Sequence, residues 1–269
     1  MSTTFVLVHG SHSNSFGWTA LQRELALRGH RGLAVDLPGH GYTAPIPAQP
    51  SGVAHLTLDD YAEHTLAVVR RAAEHGPVVL VGHSLGGFTI SAVAQRAPEL
   101  VDRLVYISAW CCTRPPAEYT ATPEYASGAL NELAGLQLVG NPAELGAVRL
   151  NWDIADPALL ARVCEANFAE LTPAEQHSAL RLFEADEPTQ NIAGGAAGID
   201  PEVLAAVDHS YIRLAQDRLM PLALQDLFIT DADTACTGNP FDVHTVDSSH
   251  GGFLARPDAV VDVLAGFVR

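Results

Sequence analysis

Short apolar runs alternate with helix-like segments along the first part of the chain. The runs lie at residues 5–8, 32–36, 78–81 and 104–107. Because most of their residues are apolar, they predict strands that are buried on both faces of a parallel sheet. The segments between them carry apolar residues at helical spacing, for example Tyr61, Leu66 and Val69. Successive β-α units of this kind predict an open, doubly wound sheet.

No strand-like run occurs between residues 110 and 208, and helices without strands are expected there. Each of three pairs places an N-cap residue before a proline, which predicts a helix start: Asn141-Pro142, Asp156-Pro157 and Thr172-Pro173. An insertion at this position would lie over the carboxyl edge of the sheet, so we expect a cap that shapes a pocket and excludes water. Residues 191–198 are rich in glycine and alanine and are expected to be the most flexible part of this cap.

Strand-like runs return at residues 209–214 and 242–246, and a final amphipathic helix is expected at 257–268. The sequence therefore predicts an α/β fold with a doubly wound, mostly parallel sheet of about six strands. Residues 1–109 and 209–269 would form the core, and residues 110–208 a helical cap insertion.

The apolar run at residues 78–81 ends in a serine between two glycines, Gly82-His83-Ser84-Leu85-Gly86. The glycines have no Cβ, so a strand and the following helix can pass close together while the serine takes a strained backbone conformation. The Leu85 N–H would then lie at a helix start, where it can bind an oxyanion. Strand, turn and helix together predict that Ser84 is a catalytic nucleophile.

A nucleophilic serine needs a histidine that takes its proton and a carboxylate that orients the histidine. His250 follows the last predicted strand, and Asp217 follows the preceding one at the same edge of the sheet. We therefore predict that these residues complete a triad with Ser84. Other carboxylates are expected in a solvated loop or in the histidine's own turn: Asp231, Asp233 and Asp247.

The other histidines near the predicted site fit different roles. His83 lies inside the turn and is expected to point away from Ser84, and His244 lies in the middle of a strand. His9 is expected to hold the loop that follows the first strand. These assignments leave His250 as the predicted base.

The loop after the first strand should supply a second oxyanion donor. Ser11 N–H is the candidate, and Gly10 would let a substrate carbonyl approach closely. His12 and Trp110 are candidate substrate contacts because they border the expected pocket. Other aromatic residues of the insertion could line the pocket or form the insertion's own core: Trp152, Phe168 and Phe183.

The net charge and the length of the apolar runs indicate which kinds of partner the chain can bind. The formal net charge of −16 makes nucleic acid and anionic membrane surfaces poor partners. A small-molecule substrate is expected instead, and the sequence leaves a homodimer open. No apolar run reaches the length of a membrane span, and the N-terminal residues do not resemble a leader, so a cytoplasmic protein is expected.

The four cysteines show no metal-ligand spacing and are expected to be free thiols: Cys111, Cys112, Cys164 and Cys236. All 15 basic residues are arginine, which together with abundant alanine suggests a GC-rich bacterial genome. Neither a metal nor a cofactor is required by the predicted chemistry.

Several motifs resemble the α/β-hydrolase superfamily along essentially the whole chain. They are His9-Gly10, Asp-Leu-Pro-Gly-His-Gly at residues 36–41, the serine motif at 82–87, and the placement of Asp217 and His250. The order Ser84, Asp217, His250 is also the one that this superfamily uses. Within it, residues 211–221 and the short insertion are similar to the plant methylesterase and hydroxynitrile lyase group.

Two positions distinguish the activities of that group. Its lyases typically carry a threonine after the first-strand histidine and a lysine after the catalytic histidine, where this chain has Gly10 and Gly251. The resemblance therefore implies a serine esterase that acts on a small, largely apolar carboxylic ester through an acyl-enzyme intermediate. The alternatives are a lyase-like reaction, or C–C bond or lactone hydrolysis on the same triad in a biosynthetic pathway. A binding protein with a decayed site is a further rival.

Overall fold

The computed structural model describes residues 3–190 and 198–268. The strands within these ranges are β1 (Thr4–Val8), β2 (Arg31–Val35), β3 (Val78–Ser84), β4 (Arg103–Ala109), β5 (Ala147–Arg149), β6 (Asp186–Pro188), β7 (His209–Leu214) and β8 (Asp242–Val246).

The α-helices of the sheet-forming parts are α1 (Thr19–Leu27), α2 (Leu58–Ala73) and α3 (Gly86–Arg96), and, near the C-terminus, α11 (Leu222–Ala235), α12 (Gly252–Ala255) and α13 (Asp258–Gly266). Between β4 and β7 lie α4 (Pro116–Thr120), α5 (Pro123–Ala126), α6 (Leu130–Gln137), α7 (Pro142–Leu145), α8 (Pro157–Phe168), α9 (Pro173–Leu180) and α10 (Pro201–Ala206).

Six strands form one sheet in the order β2-β1-β3-β4-β7-β8, and every neighbouring pair is parallel. The predicted α/β fold and strand number are confirmed. Because the strands are parallel, their carboxyl ends meet at one edge, and the loops after β1, β3, β7 and β8 converge there.

Each face of the sheet buries its own apolar cluster. Val6 and Leu80 pack on one face with residues of α2, α3 and α11, and Phe5 and Val79 pack on the other with residues of α1 and α13. Fully burying one such side chain contributes roughly 1.5–3 kcal/mol, so the two layers make the sheet a rigid base for the loops at its edge.

The expectation that the insertion contains no strands is wrong. The strands β5 and β6 pair antiparallel, with Arg149 opposite Asp186. Each has only three residues, which is too short for an alternation of polar and apolar positions to be recognised.

The three predicted helix starts in the insertion are confirmed. The side chains of Asn141, Asp156 and Thr172 each accept a hydrogen bond from a backbone N–H in the first turn of their helix. The glycine-rich stretch expected to be flexible lies, except for Gly198, outside the described residues. The division of the chain into core and cap stays a prediction.

The four cysteines are free, as predicted, and all four are buried. Burial raises the pKa of each thiol. A buried thiol with a raised pKa is a poor nucleophile, so the cysteines do not compete with the serine. Among the residues that the structure describes, no helix is long and apolar enough to cross a bilayer, and no group of acidic, histidine or cysteine side chains is arranged to hold a metal ion.

Candidate active site

Ser84 ends β3 and has a left-handed backbone conformation, with φ of 53°. The flanking glycines explain how the turn can be made. A Cβ on Gly86 would lie 2.7 Å from the carbonyl oxygens of Val8 and His9, and a Cβ on Gly82 would lie 2.8 Å from the Gly86 oxygen. These close approaches require glycine, and they place Ser84 on the strained strand-to-helix turn that the motif predicts.

Asp217 and His250 lie side by side at the same edge of the sheet. Asp217 Oδ2 is 2.6 Å from His250 Nδ1 and also accepts a hydrogen bond of 2.6 Å from Ser108 Oγ. Its other oxygen accepts the N–H groups of Leu219 and Met220, both at 2.8 Å. The carboxylate is fully buried, and its four hydrogen bonds fix its orientation toward the imidazole.

Sequence reasoning missed Ser108. It lies near the carboxyl end of β4, between β3, which ends at Ser84, and β7, which precedes Asp217, and its φ is 37°. A polar residue at the end of an apolar strand at this edge was the available signal. Serine is too common for that position alone to reveal a bond to the carboxylate.

The expectation that His83 points away from Ser84 is wrong. The His83 ring lies 4.5 Å from the His250 ring, and both histidines line the same cavity as Ser84. The pairing of β3 with β4 is irregular between His83 and Ser84, so the usual alternation of side chains does not hold there. Burial, together with the nearby His250, lowers the pKa of His83 well below its usual value. His83 is therefore a weaker base than an ordinary imidazole.

The competing carboxylates bind other groups. Asp231 and Asp233 were expected in a solvated loop, but both lie within α11. Asp231 pairs with Arg114 at 2.8 Å, and Asp233 accepts the N–H of Phe241. Asp247 accepts a hydrogen bond from Gln216, at 2.9 Å.

The Gly10–Ser11 peptide group is held by His9. Leu37 N–H donates to His9 Nε2, so His9 carries its proton on Nδ1, which donates to the Gly10 carbonyl at 2.8 Å. Burial and the neighbouring His40 lower the pKa of His9 to about 4, which keeps this ring neutral near pH 7. Because the N–H and C=O of a trans peptide point in opposite directions, holding the Gly10 carbonyl also directs the Ser11 N–H.

Both expected oxyanion donors are available. In the part of the chain that the structure describes, the backbone N–H groups of Ser11 and Leu85 donate to no protein acceptor, and both residues line the cavity beside Ser84. Gly10 leaves the space between them open, since a Cβ there would lie 2.7 Å from Ser84 Cβ and 3.3 Å from Ser84 Oγ. The arrangement can bind a developing negative charge next to the serine.

A cavity of about 310 Å³ lies between the sheet edge and the insertion. The predicted residues Gly10, Ser11, His12 and Trp110 line it together with Ser84, Leu85 and His250. Trp152 and Phe183 also line it, whereas Phe168 packs behind Phe183. Most of the remaining lining is apolar: Phe88, Leu130, Leu133, Val148, Leu150, Leu219, Met220 and Leu254.

Known proteins of one family resemble this chain. A family model described as the alpha/beta hydrolase family matches residues 5–263. The chain is 25% identical to a pyrethroid hydrolase of Sphingobium wenxiniae over 98% of this chain and 87% of that protein. It is 24% identical to Methylesterase 9 of Arabidopsis thaliana over 97% of this chain and 96% of that protein, which confirms the predicted resemblance to the plant group.

The fold is also similar to that of a solved structure of a pyrethroid hydrolase. The TM-score is 0.76, with 23% identity, and the match covers 99% of this chain and 97% of the other. This likeness supports the fold, while any chemistry must come from the site itself.

Proposed function

Because this chain belongs to the alpha/beta hydrolase family, we propose that it is a serine esterase for small, largely apolar carboxylic esters. The proposal rests on the 2.6 Å contact between Asp217 and His250, beside the cavity that Ser84 and His250 both line. Relatives named as a hydrolase and a methylesterase support the same class of reaction.

The proposed reaction has two halves. His250 takes the Ser84 hydroxyl proton while Ser84 Oγ attacks the ester carbonyl, and the Ser11 and Leu85 N–H groups bind the resulting oxyanion. His250 then gives its proton to the departing alkoxide, which leaves an acyl-serine. A water molecule, deprotonated by His250, attacks this acyl group, and the acid and free serine are released. Asp217 orients His250 and stabilises the imidazolium in both halves.

The cavity supports the proposed substrate class. Its volume of about 310 Å³ is near the lower end of the usual range for small-molecule sites. Its lining is mainly aliphatic and aromatic, and the lining residues that the structure describes include no Asp, Glu, Lys or Arg. An ester with a compact apolar acyl or alcohol part fits these properties, whereas a charged or highly polar one would lose solvation without gaining partners.

The space around the two glycines favours ester hydrolysis over a lyase reaction. A Cβ on Gly251 would lie 2.6 Å from Phe168 Cε1, so a lysine at this position would require Phe168 to move. A threonine at Gly10 would place its Cβ 2.7 Å from that of Ser84. The two side chains typical of the lyases are therefore absent, and either could be introduced only if its present neighbours moved.

The proposed function can be tested with p-nitrophenyl acetate. Ser84→Ala should lower the rate of hydrolysis at least about a thousandfold while the circular dichroism spectrum and the melting temperature stay close to those of the parent. A fluorophosphonate probe should label the parent and not the variant. Retained hydrolysis in Ser84→Ala would exclude Ser84 as the nucleophile.

A further inference from the structure

A segment of the insertion binds the loop that follows β1. Here the β1 loop means residues 9–15. Glu184 N–H donates to the His12 carbonyl at 2.7 Å, and His12 Nδ1 lies 3.0 Å from the Glu184 carbonyl. The Asn14 side chain donates to Glu184 Oε1 at 3.0 Å. The β1 loop is therefore fixed by the insertion as well as by its own strand.

Glu187, in β6, is the most deeply buried part of this contact. Its side chain is 1% exposed, and its oxygens lie 3.0 Å from His12 N, 3.1 Å from His40 Nε2 and 3.2 Å from Tyr61 Oη. One carboxylate thus joins the β1 loop, the loop after β2 and helix α2. A single anion can accept three hydrogen bonds at once, which a backbone carbonyl in a short strand cannot.

The charges of this cluster are balanced. Burial opposes ionisation of Glu187, but the attraction of His40 and hydrogen bonds from His40 and His12 lower its pKa to about 2. Burial likewise opposes protonation of His40, but the attraction and hydrogen bond of Glu187, the attraction of Glu184 and the hydrogen bond to the Pro38 carbonyl together outweigh it and raise the pKa of His40. The buried carboxylate is therefore charged and paired, which such a group needs to be stable.

The bond from His12 N–H to Glu187 acts directly beside an expected oxyanion donor. His12 has a left-handed conformation with φ of 55°, which for a residue other than glycine costs roughly 1–2 kcal/mol. His9 holds the peptide group before Ser11, and Glu187 holds the peptide group after it. With both neighbouring peptide planes fixed, the direction of the Ser11 N–H is fixed as well.

We propose that Glu187 is a positioning residue of the oxyanion hole, which holds the Ser11 N–H in place through its hydrogen bond from His12 N–H. This proposal rests on the proposed esterase function. It assigns the insertion a part in stabilising the transition state, beyond covering the cavity.

The test compares an oxygen ester with its thiono counterpart, in which sulfur replaces the carbonyl oxygen. Sulfur is a weak hydrogen-bond acceptor, so the thionoester gains little from an oxyanion hole. Glu187→Ala should lower kcat for the oxygen ester about tenfold or more, with a much smaller change for the thionoester and for KM. The kcat for the oxygen ester divided by the kcat for the thionoester, here called the kcat ratio, should therefore fall. Glu187→Gln, which keeps an acceptor for His12 N–H, should restore much of that ratio.

Asp186→Ala is the matched control. Asp186 is the preceding residue of β6, is similarly buried and binds Arg149 and Ser51, but makes no hydrogen bond to the β1 loop. Its loss should destabilise the insertion without changing the kcat ratio. If Glu187→Ala does not fold, Glu187→Asp can be used instead. Its shorter side chain keeps the charge beside His40 but withdraws the carboxylate from His12. The ratio of kcat for the oxygen ester to kcat for the thionoester should therefore also fall in this variant.

The outcomes separate the two proposals. An unchanged ratio in the folded Glu187 variant, or an equal fall in Asp186→Ala, would overturn the positioning role while Ser84→Ala still abolished hydrolysis. Unimpaired hydrolysis in Ser84→Ala would instead overturn the esterase mechanism itself.

Discussion

The β1 loop and the β8 loop, residues 247–251, reach the same cavity from one edge of the sheet, although three strands lie between β1 and β8. A carboxylate of the insertion binds each loop. At the β1 loop, Glu187 is buried, accepts the His12 N–H and is paired with His40 of the loop after β2. Glu170 is exposed at the β8 loop, where it accepts hydrogen bonds from Ser248 Oγ, at 2.6 Å, and from Ser249 N–H and Oγ. The partners of Glu170 are neutral groups.

This difference separates two ways of holding a loop. The buried contact at the β1 loop is made by Glu187, whose charge is paired with His40 away from water, so the loss of either partner leaves an uncompensated buried charge. The β8 loop is held by several contacts, which include Gly251 N–H and Ser249 Oγ to the Asn167 carbonyl at 2.7 and 2.9 Å. No single one of these contacts should be essential. We therefore expect the β1 loop to be sensitive and the β8 loop to be tolerant.

The largest expected effect concerns His250, which lies in the β8 loop and is oriented by Asp217. Asp217→Asn should lower kcat by about 10⁴, because the amide can donate to His250 and hold it in the wrong tautomer. Steady-state hydrolysis of p-nitrophenyl acetate measures this change, and an unchanged melting temperature would show that the fold is intact. A loss of less than tenfold would mean that Asp217 does not orient the base.

The next effect concerns stability at the β1 loop. Glu187→Ala should lower the free energy of unfolding by about 3–5 kcal/mol, because His40 loses its partner in a buried site. Urea denaturation followed by tryptophan fluorescence measures the loss. A value below about 1 kcal/mol would contradict the view that this pair holds the loop.

The same pair should respond to pH. Because the pKa of His40 is raised above 6.5, its stabilising interaction with Glu187 is complete below that pH and is lost as the pH rises through the raised value. His9 affects stability at acid pH. Because its pKa is lowered to about 4, the protein loses stability as the pH falls from 6.5 toward that value. The difference in melting temperature between the parent and His40→Gln should therefore be largest near pH 6 and shrink toward pH 9. A gap that stays constant would show that His40 does not change its protonation state between pH 6 and pH 9.

The smallest effect is expected at the β8 loop. Glu170→Gln should cost about 1 kcal/mol or less, because the side chain is exposed and its neutral partners can bind water or the remaining acceptor. Its kcat should stay within about threefold of the parent. A loss as large as that of Glu187→Ala would remove the distinction between the two loops.

The sheet and the chemistry of its edge could be predicted because their signals are local. The run before Ser84 and the glycines around it identify both the strand and the turn within a few residues. Asp217 and His250 follow strands that are clear in the sequence. Their position at the carboxyl edge of the sheet could therefore be predicted without knowing which residues they contact.

The contacts of the insertion could not be predicted in this way. The bond between His12 and Glu187 joins residues far apart in sequence, and β6 is too short to show a pattern. Asp231 and Asp233 were expected in a loop after a helix that begins near Pro221, but the helix continues through them to Ala235. The position of His83 depends on the irregular end of β3, which the sequence pattern does not reveal.

The central claim, that Ser84 is acylated during turnover, can be observed directly. The protein would be mixed with p-nitrophenyl acetate, quenched in acid within the first turnovers, digested and analysed by tandem mass spectrometry. We expect an acetyl group on Ser84 in the parent and no such adduct in Ser84→Ala. Rapid hydrolysis with no acetyl group on Ser84, or with the group on another residue, would contradict it.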